Sequence, residues 1–288
     1  MKFNISFPQD NAMADPGAVR EFAQMVDESG FDHLTVSDHV LGANPASRPN
    51  WSGRYTVDDP FREPMVMLGF MAACTSRVRL GTSIVILPQR QTALVAKQMA
   101  EIDILSNGRA MLGVGVGWNE LEFEGLNEDF HSRGRRMEEQ LAVMRALWTE
   151  RSTTFKGEFH TIDDAGLNTM PVQRPIPIWM GGAAPRVMKR IAQLADGWLP
   201  SSASVADFNA QYEQFKGLVQ EAGRDINSIA VVPRMTLKRG AESTWSELVE
   251  GWSSTGATHL GVSTNNSDAD SADEHISLAR AFAENVIR

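Results

Sequence analysis

Two spacings of apolar residues alternate along the chain and predict strands followed by helices. Short, nearly continuous apolar runs indicate buried strands, and longer stretches with apolar residues three or four apart indicate helices. The predicted strands cover residues 2–7, 33–37, 78–87, 110–114, 176–180, 197–199, 228–236 and 259–263. The predicted helices cover residues 16–29, 63–75, 92–105, 135–150, 185–194, 205–222, 245–254 and 270–287. Eight strand–helix units predict an α/β fold, a (β/α)8 TIM barrel.

Two segments interrupt this repeat. Residues 42–62 form a long connection after the second strand, and residues 153–173 suggest a hairpin or an irregular excursion before the fifth strand. Long connections in compact domains are usually functional. We therefore expect one domain spanning residues 1–288, with these two insertions closest to the substrate.

The composition limits the classes of ligand that the protein is expected to bind. The chain has 288 residues, of which 42% are apolar, and a formal net charge of −9. That charge argues against nucleic acid and anionic membranes, which are polyanions, and favours a small molecule. Cys74 is the only cysteine, the chain opens directly into a strand-like segment, and no apolar stretch approaches the roughly 20 residues of a membrane span. We expect a cytoplasmic protein.

Two motifs lie at the ends of predicted strands, where a parallel barrel places its catalytic groups. Ser37-Asp38-His39 ends the second strand, and an imidazole there could exchange a proton near neutral pH. The alternative is that Asp38 caps the loop and His39 is a structural hydrogen-bonding residue. In the third strand, Gly81-Thr82-Ser83-Ile84 interrupts an apolar run, which indicates either a bulge near a ligand or a glycine needed for barrel packing.

Two glycine-rich motifs follow later strands. The run from Gly113 to Trp118 has alternate glycines but lacks the G-x-G-x-x-G spacing of a dinucleotide fold, so it disfavours that fold and suggests backbone open to a flat ring or phosphate. An unliganded strained loop is the alternative. After Trp179-Met180, small residues precede a helix beginning at Pro185, where free N–H groups could hold a phosphate.

Other polar residues suggest less. The basic turn at the start of the helix 135–150 fits ion pairing at least as well as phosphate contact. Asp163-Asp164 is interpreted as a surface pair. Three histidines are scattered without zinc-type spacing, so we expect no metal site: His160, His259 and His275.

Taken in order, SDHV, RLGTSIVI, GRAMLGVGVGWNELEFEGL, FHSRGRRMEE and PIPIWMGGAAPRVMKRIAQLADGWLP resemble the bacterial-luciferase-like superfamily, and most closely its branch that uses the deazaflavin coenzyme F420. The similarity covers nearly the whole chain. It implies a TIM barrel with the cofactor ring at the carboxyl-end mouth, His39 near the reactive centre, and a non-proline cis peptide at Ser83-Ile84 behind the ring.

The resemblance also implies a set of cofactor-binding residues, with a glycine series along the tail and small residues at the phosphate. In chain order these are Asp38, His39, Thr82, Ser83, Ile84, Gly115, Val116, Gly117, Gly181, Gly182, Ala183 and Ala184. One departure concerns the related deazaflavin-dependent sugar-phosphate dehydrogenase, in which a catalytic glutamate follows the glycine series. This chain has Trp118 there, and we place Trp51, Trp118 and Glu120 around the substrate.

The resemblance implies an oxidoreductase that moves a hydride between F420 and a small organic substrate. One alternative is a monooxygenase using reduced flavin mononucleotide (FMN), and another is a non-catalytic flavin-binding barrel. Family members pair through helices beside the second and third strands, and helix 63–75 is apolar around most of its circumference. We therefore expect a homodimer, although the same face could pack on the barrel.

Overall fold

Parallel strands and helices alternate along the chain, as the apolar pattern predicts. The computed structural model describes residues 1–202 and 204–288. The strands are β1 Lys2–Ser6, β2 His33–Val36, β3 Arg79–Thr82, β4 Val85–Ile86, β5 Ala110–Gly115, β6 Thr153–Lys156, β7 Thr161–Ala165, β8 Ile178–Gly181, β9 Gly197–Leu199, β10 Ala230–Val231, β11 Arg234–Thr236 and β12 His259–Ser263. The α-helices are α1 Pro16–Glu28, α2 Pro64–Cys74, α3 Thr92–Leu105, α4 Glu120–Gly125, α5 Arg133–Thr149, α6 Pro185–Leu194, α7 Val205–Glu221, α8 Trp245–Ser253 and α9 Ala272–Phe282.

The parallel sheet closes into a barrel through one segment of the chain. Its order is β10-β9-β8-β5-β3-β2-β1-β12-β11, with β4 beside β5. The predicted strand 228–236 is interrupted at Pro233, which has no N–H to give to a ladder. Its first half, β10, pairs with β9, and its second half, β11, pairs with β12. The two ends of the sheet are therefore one segment, and the TIM-barrel prediction is confirmed.

The predicted strand 78–87 is also divided. β3 and β4 flank a cis peptide bond between Ser83 and Ile84, which confirms the bond implied by the resemblance. The side chain of Thr82 crosses to β5, where its Oγ1 donates to the Gly113 carbonyl over 2.6 Å. A Cβ at Gly113 would lie 1.9 Å from the Thr82 carbonyl oxygen, so only glycine permits this approach of the two strands.

The two insertions have different forms. Residues 37–63 cross the mouth of the barrel with a single 3-10 turn, Pro45–Ser47, and β6 and β7 form the antiparallel hairpin predicted before the fifth barrel strand. Helix α4 was not predicted, because six residues are too few to display a helical period. It matters here because it lies directly after β5, at the mouth.

The apolar faces of the outer helices pack on the barrel. In α2, Met65, Met67, Leu68 and Met71 are buried, so most of the methionine-rich face belongs to the core. Val66 is the exception, with 73% of its surface exposed. Across residues 1–202 and 204–288, the helices are all too short or too polar to cross a bilayer.

Candidate active site

A cavity of about 320 Å³ opens at the carboxyl ends of the strands, where TIM barrels carry their active sites. This volume lies at the lower end of the roughly 300–1,000 Å³ typical of small-molecule pockets. Its lining comes from the ends of β2, β4, β5, β8 and β9 and from the loop 37–63. The lining residues are Ser37, Asp38, His39, Arg54, Tyr55, Phe61, Ser83, Ile84, Ile86, Gly115, Val116, Gly117, Trp118, Gly181, Gly182, Leu199, Ser201 and Arg234.

His39 is held in the cavity by a buried carboxylate. Its Nδ1 lies 2.9 Å from Oε2 of Glu122, whose side chain is fully buried. The other oxygen, Oε1, accepts from the N–H groups of Val40, at 2.7 Å, and Leu41, at 3.3 Å. Burial acts to raise the pKa of Glu122, but the bonds from His39 and the two N–H groups outweigh it and lower that pKa. Glu122 is therefore ionised, and a carboxylate that only accepts requires His39 to donate from Nδ1.

Aromatic rings enclose His39 on the solvent side. The ring centroids of Tyr55 and Phe61 lie 4.8 Å from the imidazole, and that of Trp118 lies 5.7 Å away. Trp51 is outside the lining; it packs 6.1 Å from Trp118 and donates its indole N–H to the Tyr55 carbonyl. The long loop thus supplies Tyr55 and Phe61 as a wall, and Trp51 supports that wall from behind.

The opposite wall is backbone. A Cβ at Gly115 would lie 2.6 Å from the Ile84 side chain, and one at Gly181 would lie 3.4 Å from it. Gly117 has φ +76°, a conformation that favours glycine. The edges of β5 and β8 are therefore bare where they meet Ile84, and this stretch of backbone lines the same cavity as His39.

Asp38 and Thr82 are used inside the protein. Asp38 is buried, accepts from the Ile86 N–H, and pairs with Arg90 over 2.8 Å. Burial raises its pKa, and the pairing with Arg90 opposes that rise. Thr82 is buried against Gly113 and does not line the cavity. Of the predicted cofactor contacts in this region, His39, Ser83 and Ile84 line the cavity without being engaged by Arg90 as Asp38 is.

The turn before α6 lies at the edge of the cavity. Gly181 and Gly182 line it, whereas Ala183, which is equally half-buried, and Ala184, which is exposed, lie outside the lining. The Gly182 N–H donates to the Leu199 carbonyl, so it is not free for a ligand. The N–H groups of Ala183 and Ala184 make no hydrogen bond to any described residue, and they stand at the amino end of α6, where an anion is favoured.

Glu120 does not belong to the pocket. Its side chain is 66% exposed and lies 3.8 Å from His131. Residues two apart on a helix point in nearly opposite directions, so the burial of Glu122 turns Glu120 to solvent. The sequence analysis missed Glu122, because ELEFEG offers three equivalent glutamates and no local signal selects one.

The basic turn before α5 is paired internally. Arg136 contacts Glu128, and Arg135 pairs with Glu158 over 3.2 Å. This agrees with the structural interpretation of these residues and leaves the start of α6 as the better anion site.

A histidine group that sequence spacing did not reveal lies at the opposite end of the barrel. Oδ2 of Asp32 lies 2.7 Å from Nδ1 of His33 and 3.6 Å from Nε2 of His259. These three side chains could hold a metal ion. Lys2 already pairs with Asp32 over 3.0 Å, so the carboxylate charge is balanced within the protein.

A parallel barrel with a ring-sized pocket at its carboxyl ends defines a TIM-barrel enzyme. The chain belongs to the luciferase-like monooxygenase family, whose sequence model matches residues 1–284. The protein is therefore an oxidoreductase.

Individual proteins are similar in sequence to this chain. An uncharacterized protein of Mycobacterium tuberculosis is 31% identical over 227 residues, covering 77% of this chain and 79% of that protein. The F420-dependent glucose-6-phosphate dehydrogenase of Kineococcus radiotolerans is 32% identical over 205 residues, covering 68% of this chain and 56% of the dehydrogenase.

Solved structures share the fold along the whole chain. The coenzyme F420 dependent tetrahydromethanopterin reductase from Methanopyrus kandleri has a TM-score of 0.77 at 17% identity, covering 99% of this chain and 98% of the reductase. A monooxygenase from Streptomyces bottropensis has a TM-score of 0.78 at 21% identity, covering 100% and 99%. At these identities the likeness describes architecture, and the two enzymes differ in activity.

Proposed function

We propose that the protein transfers a hydride between coenzyme F420 and a small organic substrate. The observation that carries this proposal is His39, fixed by a buried carboxylate and lining the same cavity as a wall of bare backbone. The dehydrogenase from Kineococcus radiotolerans, named as F420-dependent, supports the choice of cofactor.

The residues present fit such a cofactor. Ile84 and the glycine edges of β5 and β8 offer a flat surface on which a tricyclic ring could lie, since side chains at Gly115 and Gly117 would collide with Ile84 and Ile86. The free N–H groups at the start of α6 suit its phosphate. When bound, the cofactor supplies the hydride acceptor or donor, while the protein supplies orientation and shielding.

His39 is placed to move the proton that accompanies the hydride. Because Nδ1 donates to Glu122, Nε2 of the neutral imidazole carries the lone pair and can accept a proton from a substrate hydroxyl. In the reverse direction the same nitrogen returns the proton. Tyr55, Phe61 and Trp118 reduce the access of water to this point.

The same pocket would suit reduced FMN, and a monooxygenase shares the fold, so the FMN-dependent monooxygenase is the second candidate. Family membership favours both over a non-catalytic barrel. Anaerobic turnover separates the two, because hydride transfer to F420 needs no oxygen. We expect F420 to be reduced by at least one member of a panel of alcohols and hydroxy acids without oxygen. Turnover that requires both oxygen and reduced FMN would support the monooxygenase instead.

We propose further that the protein forms a homodimer through α2. Val66 is 73% exposed on an apolar helix in which Phe70 is only half-buried, and exposed apolar residues on a core-facing helix suit a two-fold contact. Light scattering at micromolar concentration should give twice the mass of the 31.7 kDa chain. A monomer under those conditions would contradict the proposal.

A further inference from the structure

Two arginines at the mouth of the cavity have no acidic partner. Arg54, in the loop 37–63, and Arg234, at the start of β11, both line the cavity beside His39. Within residues 1–202 and 204–288, neither guanidinium forms a hydrogen bond or an ion pair. Asp38 is the one carboxylate in the described lining, and Arg90 already neutralises it.

Two other arginines near this cavity, Arg62 and Arg90, are bound within the protein. Arg62, from the same loop as Arg54, donates to the carbonyls of Met13 and Ala14. Arg90 pairs with both Asp38 and Glu63. Arg54 and Arg234 are exposed to solvent at the cavity. In a chain of net charge −9, the absence of an acidic partner at both positions favours an anionic ligand there.

The fold makes room for Arg234. It lies opposite Gly261 in the register of β11 and β12, and a Cβ at Gly261 would lie 3.0 Å from Cγ of the arginine. Its stem therefore rests on a strand position without a side chain. Desolvation lowers the pKa of this guanidinium below the usual arginine value; Tyr55 opposes this shift, and the charge of Arg54 adds a smaller effect in the lowering direction. Both guanidinium groups line the same cavity, so an anion bound between them would offset their mutual repulsion.

We propose that Arg54 and Arg234 bind a carboxylate or phosphate group of the substrate. This inference rests on the proposed function, because it places the anion next to the reacting centre at His39.

The position of Arg234 favours the substrate over the anionic tail of the cofactor. A second cavity of about 320 Å³ adjoins the first around Arg234 and is lined by Ser201, Thr236, Ser263 and Asn265, among others. It includes none of the β5 and β8 glycines. Arg234 therefore also borders a space without the bare backbone that suits the cofactor, whereas Arg54 lines only the first of the two cavities.

Inorganic phosphate is the probe for this site, titrated calorimetrically into the full chain at low ionic strength. We expect wild-type protein to bind it in the millimolar range and Arg54→Gln and Arg234→Gln each to weaken binding at least tenfold. Arg234→Lys should recover part of the loss, because the charge returns without the planar fork. Arg48→Gln is the matched control, since Arg48 is an exposed arginine of the same loop outside the cavity lining, and it should bind phosphate normally.

F420 titration of the same variants identifies the source of the anion. Unchanged F420 affinity with lost phosphate affinity supports a substrate site. Lost F420 affinity in Arg54→Gln and Arg234→Gln would assign the pair to the cofactor tail and overturn the proposal. The proposal would also be overturned if both variants bound phosphate as tightly as the wild-type protein, or if the wild-type protein bound no phosphate. Phosphate binding lost as expected in a protein that never binds F420 would leave the anion site standing and refute the proposed function instead.

Discussion

Replacing Glu122 by glutamine tests whether this carboxylate sets the protonation of His39. Glutamine keeps the shape of glutamate and an oxygen that can still accept from the N–H of Val40. It removes the charge, and it turns an NH₂ group, which donates, toward Nδ1 of His39. The imidazole must then accept at Nδ1 and carry its proton on Nε2. His39 would no longer present a lone pair to the substrate.

The hydrogen bonds of Glu122 give the size of the stability effect, and the usual contribution of general acid–base catalysis gives that of the rate effect. In Glu122→Gln, the three hydrogen bonds to this fully buried side chain are no longer made to a charged group. Bonds to charged groups are worth about 1.5–3 kcal/mol against about 1 kcal/mol for neutral bonds, so we expect a loss of about 2 kcal/mol in unfolding free energy. At about 2 °C per kcal/mol for a chain of this size, Tm should fall by roughly 4 °C. Turnover should fall about 100-fold, equivalent to about 2.7 kcal/mol in the barrier, with little change in F420 affinity.

The chain contains a matched control. Glu139 accepts from Nδ1 of His160 at 2.6 Å and from the N–H groups of Glu158 and Phe159, the same arrangement outside the cavity. Glu139→Gln should lower Tm while leaving kcat unchanged. Imidazole ¹⁵N chemical shifts should report the proton of His39 on Nδ1 in wild-type protein and on Nε2 in Glu122→Gln. Equal effects of the two substitutions on kcat, or an unchanged tautomer, would refute the reasoning.

Three further predictions follow from the site and from buried histidines. His39→Ala should reduce kcat about 100-fold while the Kd for F420 stays within about threefold, and full activity would return His39 to a structural role. Ala184→Asp should weaken F420 binding at least tenfold by placing a carboxylate at the free N–H groups before α6, and Ala184→Asn, the neutral control, should not. Burial lowers the pKa of His33 and of His275 in the folded protein. As the pH falls below about 6.5, the unfolded state therefore binds protons before the folded state does, so the free energy of unfolding should decrease from pH 7 toward pH 5. A calorimetric Tm that is constant over that range would contradict this prediction.

Local patterns were sufficient to predict the barrel. Eight strand–helix units follow from apolar periodicity because buried parallel strands and amphipathic helices each impose a repeat on the sequence. The apolar pattern was least accurate where the backbone departs from that repeat, at Pro233 and at Ser83, where only the resemblance implied the cis peptide, and where an element is too short to show a period, as in α4. Pro233 was visible in the sequence and could have marked the break.

The site was predictable only in part, for a related reason. His39, Gly115 and Gly117 stand at strand ends, and their position in the cavity follows from the barrel itself. Glu122 is different, because it reaches His39 across the mouth, and Arg54 and Arg234 come from a loop and a distant strand. Such pairings depend on how loops fold over the barrel, and no spacing rule encodes them.

The measurement that tests the central claim most directly is a titration of the purified protein with F420 and, separately, with FMN, following tryptophan fluorescence. Trp118 lines the cavity and lies beside His39, so a ring bound there should quench part of the signal from the seven tryptophans. We predict a Kd for F420 at least tenfold lower than for FMN, and a quench that is reduced in Trp118→Phe. Equal or reversed affinities for the two cofactors would contradict the account and favour the FMN-dependent monooxygenase.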